Sequence, residues 1–100
     1  MNITDFSAGE VYSIKLTSGE EVIAKVVGID TNYKTLKVSH PLTLAGQGLI
    51  PAVLTANHDH EVTINSNSIA MYSISSEQVT AKYIEATTGI AVTNKQIIMG

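Results

Sequence analysis

The stretch GEVYSIKLTSGEEVIAKVVGID, residues 9–30, decides the fold. Over residues 10–17 apolar and polar side chains alternate, with Tyr12, Ile14 and Leu16 facing one way and Ser13, Lys15 and Thr17 the other. That period of two is the mark of a half-buried strand. Ser18-Gly19 is a turn signal, and residues 20–29 are rich in branched side chains that favour extended backbone: Val22, Ile23, Val26, Val27 and Ile29. The two runs therefore make a hairpin. Both faces of the second run carry apolar residues and Gly28 lies near its end, which predicts a long central strand bent at the glycine.

Asp30-Thr31-Asn32 follows as a second turn, because Asp and Asn side chains bond nearby backbone and tolerate left-handed conformations. A third strand starts near Lys34, where Leu36, Val38 and His40 alternate with Thr35, Lys37 and Ser39 as far as Pro41, and the pattern resumes through Leu42 and Leu44. Pro41 and Pro51 cannot donate to a ladder and suit edges, strand ends or bulges. Residues 49–55 read as a fourth strand and Asn57-His58-Asp59-His60 as a connection. Residues 61–65 and 68–74 read as two short strands around the polar turn Asn65-Ser66-Asn67. The period then changes. Ser75-Ser76-Glu77-Gln78 is a helix start, and the helix runs over about residues 76–88, with Val79, Tyr83 and Ala86 on the docked stripe and Lys82 and Glu85 on the wet side. Gly89 ends it. The tail over residues 89–100 carries Ile97-Ile98-Met99 and is expected to pack, a neighbouring subunit being one surface for it.

The chain has 100 residues, 44% hydrophobic and 15% charged, enough apolar surface for one globular domain and too short for two. Its net charge is −3 and every one of its six cations is a lysine. Without a guanidinium it lacks the usual bidentate grip on phosphate or guanine, which argues against tight duplex-DNA binding. Single-strand binding by stacking and amide hydrogen bonds stays open. No apolar run reaches the roughly 18 residues of a membrane span, and residues 1–10 lack a basic start and apolar stretch. With no cysteine, a reducing cytoplasmic location is expected. Asn2-Ile3-Thr4 matches the glycosylation pattern, and without an export signal the match reads as fortuitous.

His58-Asp59-His60 with Glu61 gathers metal-ligand residue types. Two His do not close a tetrahedral site, so a solvated loop is the first reading, with a metal site and a subunit contact as alternatives. No Gly-x-Ser-x-Gly elbow and no phosphate loop is present, so the chain is not expected to be an enzyme or to carry a cofactor. The two polar turns hold the remaining chemistry. Asn and Lys donors beside the Tyr33 ring suit a flat heterocycle, which stacks while amides read its edge. The competing reading is that Asp and Asn are ordinary turn residues and that Tyr33 covers a core edge.

In order and spacing, residues 9–74 resemble the Sm-like (LSm and Hfq) superfamily. The first Sm motif is similar to residues 9–19 followed by residues 20–30: alternating strand, turn glycine, long bent strand, closing Asp. The second is similar to Ile64-Asn65-Ser66-Asn67-Ser68-Ile69. The resemblance implies a mainly β fold, a small, strongly bent five-stranded antiparallel barrel over about residues 9–74, here followed by a C-terminal helix. It also implies subunits joined edge to edge in a closed homo-oligomeric ring of about five to eight copies, and binding of short single-stranded RNA. Carried over residue by residue, the family's RNA contacts fall on Asp30, Asn32, Tyr33, Lys34, Asn65, Ser66 and Asn67. The chain departs from the motifs in two places: its aromatic residue lies three positions after the Asp, and Asn65 stands where the family has Arg. Residues 40–60 are longer than a minimal Sm connection, and residues 1–8 are short for the family's leading helix. These features resemble a divergent, phage-type branch. An oligomeric scaffold or adaptor without nucleic-acid binding is the alternative function.

Overall fold

In the computed structural model, which describes residues 2–46 and 48–89, the hairpin forms where the sequence sets it. Gly19 takes a φ of 98°, a conformation that disfavours a Cβ, and turns strand β1 (Val11–Leu16) back into β2 (Glu21–Asp30). The two pair antiparallel with Ile14 opposite Val22. Strand β3 (Thr35–Ala45) runs along the far edge of β2, and β6 (Ile69–Ile74) along the free edge of β1. Two short strands divide the outer edge of β3: β5 (Val62–Asn65) pairs with residues 35–38 and β4 (Gly48–Pro51) with residues 42–45. The result is one antiparallel sheet of six strands in the order β4-β3-β2-β1-β6, with β5 attached to β3. Helix α1 (Glu77–Thr88) follows. Among the described residues no helix is long and apolar enough to cross a membrane.

The sheet buries side chains on both faces. Tyr12, Ile14, Val22, Ala24, Val26, Leu36, Val38 and Ile69 join Ile3 and Phe6 in the larger core. Val11, Ile23 and Leu42 lie on the opposite face beneath Tyr83 of α1. Two irregularities let β2 and β3 serve both. Opposite the single residue Ala24, β3 inserts His40 and Pro41, and Val27 is an extra residue on β2 beside Gly28. A bulge adds local twist and bends its strand, so the bend expected at Gly28 falls where the register shifts.

Several expectations need correction. Six strands form, where the Sm resemblance implies five; the sixth is the fourth strand read at residues 49–55, present as β4. That strand stops at Pro51 rather than Thr55, and residues 52–61 are turns and loop. His40 does not continue the inward row of Leu36 and Val38. Its φ is 47°, and the inserted residue moves Leu42 to the other core. Of the two serines at the helix start, Ser76 caps α1, accepting from the Val79 N–H at 3.2 Å, while Ser75 is buried and bonds Ser13 Oγ at 2.8 Å. Ala86 is exposed, and Ile84 packs with Val79 and Tyr83 instead. The leading segment, expected to be short for a helix, holds a 3-10 turn at Ile3–Asp5. Residues 90–100, with the packing expected of them, lie outside the described residues.

Tyr83 fastens the helix to the sheet at the break in β3. Its hydroxyl donates to the Ser39 carbonyl and accepts from the Lys25 N–H at 3.1 Å. Burial pushes its phenol above the ordinary value of 10.0, with the Lys25 N–H pulling the other way. Replacement Tyr83→Phe leaves two backbone groups unpaired and is expected to cost about 1–3 kcal/mol in urea unfolding. A phenol raised in the folded state contributes stability that is complete below the unfolded value and is lost as pH rises through the folded one. Wild-type stability should therefore fall as pH climbs beyond about 10, and Tyr83→Phe should remove that part of the loss.

Candidate functional site

Asp30 ends β2, and its carboxylate turns back on the chain. Oδ1 accepts from the N–H groups of Asn32 at 2.9 Å and Tyr33 at 3.1 Å, an Asx turn that fixes the loop backbone. The chain enters β3 through Lys34 at a φ of 56°, a left-handed conformation that costs a residue with a Cβ roughly 1–2 kcal/mol. Tyr33 is 79% exposed, so its ring does not cover a core edge. Asn65 repeats the device at the end of β5. Its Oδ1 accepts from the Asn67 N–H at 2.9 Å and caps the 3-10 turn Ser66–Ser68.

The register of the sheet joins the two turns. Thr35 lies opposite Asn65, and the Ser66 N–H donates to the Lys34 carbonyl at 3.0 Å. Asp30, Asn32, Tyr33 and Lys34 thus share one end of the sheet with Asn65, Ser66 and Asn67, although some thirty positions of chain separate the two groups. The turns consume the N–H groups of Asn32, Tyr33, Ser66 and Asn67. The Lys34 ammonium and the side-chain amides of Asn32 and Asn65 keep donors without a partner among the described residues.

A third segment borders the same end. Asn2 caps the turn Ile3–Asp5, its Oδ1 accepting from the Thr4 N–H at 3.1 Å and the Thr4 hydroxyl at 2.8 Å. Asn2, Ile3 and Thr4 line a recess of about 530 Å³ together with Thr31, Lys34 and Ser66. Among the described residues no acidic side chain lines it, and Lys34 is its one cation. Sequence reasoning passed over Asn2 and Thr4. The signal was the Asn-x-Thr triplet, which marks a capping Asn with a hydroxyl two residues on as well as it marks a glycosylation acceptor.

The histidines come closer together than the sequence indicated. His40, His58 and His60 border one cavity of about 30 Å³, walled by apolar residues such as Leu42 and Val62. His58 and His60 sit in the loop after β4, not on a strand that would align them, and Nδ1 of His40 is hydrogen-bonded to Ser39 Oγ at 2.7 Å. Among the described residues no group of three His, Asp or Glu is arranged to hold a metal ion.

No protein-family model matches the chain, and no curated protein matches it significantly.

The left-handed Lys34 gives a test of strain at this site. Lys34→Gly removes the Cβ conflict and is expected to raise unfolding stability by up to about 1 kcal/mol. Lys37→Gly, inside β3 and without a positive φ, should lower it instead.

Proposed function

We propose that the chain is an Sm-like subunit that assembles into a closed homo-oligomeric ring and binds short single-stranded RNA at the joined turns, in the cytoplasm and without enzymatic activity. The observation that carries this reading is the hydrogen bond from the Ser66 N–H to the Lys34 carbonyl. It makes one surface of the two turns that the Sm resemblance marks separately, with the exposed ring of Tyr33 beside it. Stacking on Tyr33 is the sequence-tolerant part of the contact, and the amides of Asn32 and Asn65 with the Lys34 ammonium bond base edges or phosphate.

The strand order supports the same fold family. Leaving β4 aside, the path β5-β3-β2-β1-β6 has five strands. The short turn Ser66–Ser68 links its two ends, so a closed barrel needs only the approach of β5 to β6. The Thr17 N–H donates to the Ser68 carbonyl at 2.8 Å, tying that turn to the β1 end. Subunit joining is supported by the edge of β6 away from β1. Met71 and Ile74 on this strand are 65% and 58% exposed, an apolar edge of the kind that pairs with another chain. The same edge favours a second reading, an oligomeric scaffold or adaptor, which keeps the ring and omits the RNA.

Fluorescence anisotropy with a labelled oligo-uridine separates the two. Tyr33→Ala should weaken binding by roughly 5- to 100-fold, the worth of one stacked base, and Asn65→Ala by a few-fold, with assembly size unchanged by light scattering. Wild-type affinity should fall steeply with added salt. Unchanged binding in both variants would remove the pocket, and no binding at low salt would leave the scaffold.

A further inference from the structure

We infer that Thr4 accepts a hydrogen bond from a ribose 2′-hydroxyl and so makes the site select RNA over DNA. The inference rests on the RNA reading above and adds the sugar chemistry that this site recognises. It begins with which atoms still have hydrogen-bonding capacity. The backbone N–H of Thr4 can only donate, so the Asn2 atom it meets at 3.1 Å must be the carbonyl oxygen, which fixes the orientation of that amide. The Thr4 hydroxyl lies 2.8 Å from the same oxygen and must therefore donate to it. A threonine hydroxyl has one proton. With that proton held by Asn2, Oγ1 of Thr4 offers a ligand only lone pairs.

The rest of the recess offers donors, together with the Thr31 and Ser66 hydroxyls, which can donate as well as accept. The Lys34 ammonium is a donor by nature, and the Asn2 NH₂, turned away from the bonds its carbonyl makes, has no partner among the described residues. Donors of this kind suit phosphate and carbonyl oxygens. DNA and RNA supply those oxygens alike, so they do not tell the two apart. The acceptor does. Along a sugar-phosphate chain the one recurring donor is the ribose 2′-hydroxyl, which DNA lacks. The recess, about 530 Å³, is within the size range of small-ligand sites and has room for a sugar, and its lining residues Thr31 and Lys34 flank the turn that carries the exposed Tyr33.

The test compares three labelled oligomers of equal length and base on the full chain: oligo-uridine, oligo-deoxyuridine, and 2′-O-methyl oligo-uridine, whose sugar oxygen has no proton to donate. Wild type is expected to bind the first roughly 2- to 10-fold more tightly than either of the others, the worth of one hydrogen bond. In Thr4→Val the oligo-uridine affinity should drop to the oligo-deoxyuridine value, which itself stays unchanged, while Thr4→Ser should keep the preference. If wild type binds all three equally, or Thr4→Val keeps the ratio, the role of Thr4 is overturned and RNA binding at the turns stands. If no oligomer binds, both fall. The 2′-O-methyl comparison needs no variant, so equal wild-type binding overturns the inference even if Thr4→Val disturbs the turn, and Thr4→Ala, which must also lose the preference, assigns it to the Thr4 hydroxyl by a second route.

Discussion

The break in β3 at Ser39, His40 and Pro41 is the constraint on which the other elements depend. An eleven-residue strand with an unbroken period would keep one row of side chains on one face from end to end. Here two residues stand opposite Ala24, and the row changes faces. Leu36 and Val38 stay in the larger core, and Leu42 goes to the smaller one under the helix. The same break presents the Ser39 carbonyl to Tyr83, which has the Lys25 N–H on its other side. Beyond the break the outer edge of β3 passes from β5 to β4, so one irregularity places the helix and decides which short strand lies where.

The end of the sheet that carries the candidate site follows from the half of β3 before the break. Residues 35–38 pair with β5, and that pairing, with the Ser66 N–H bond to the Lys34 carbonyl beyond it, carries the turn at Asn65 to the turn at Asp30. Each turn is built by a carboxylate or amide oxygen that accepts from its own backbone, so the loops are held by local bonds and their remaining donors face outward. The strain at Lys34 fits this arrangement, since a left-handed residue at this point reverses the chain while its carbonyl receives the Ser66 N–H. In the ring proposed above, affinity comes from many modest contacts repeated around it rather than from one strong one, as expected of a chain with net charge −3 and no arginine.

Much of the sheet was legible in the sequence because period-two alternation, a turn glycine and Asx residues act locally. The hairpin of residues 9–30, both polar turns, the strand pair around Asn65 and the helix with its capping serine and Gly89 all come from such signals. The middle of the chain was not. Whether His40 continues a strand or interrupts it depends on what lies opposite, and Ala24 is sixteen positions away in sequence. Pro51 ends β4 early, which leaves Val53 and Leu54 exposed, an outcome their apolar character argued against. At the site the seven residues carried by the Sm resemblance do fall on two joined turns. Asn2 and Thr4 were missed because three residues are too few for a periodic signal and their contribution is a hydrogen bond between side chains.

Native mass spectrometry of the intact protein, alone and with a short oligo-uridine, tests the central claim most directly, since one spectrum reports assembly and ligand together. The account predicts a closed ring of about five to eight copies that takes up the oligonucleotide. A monomer, or a ring that refuses the oligonucleotide, would contradict it.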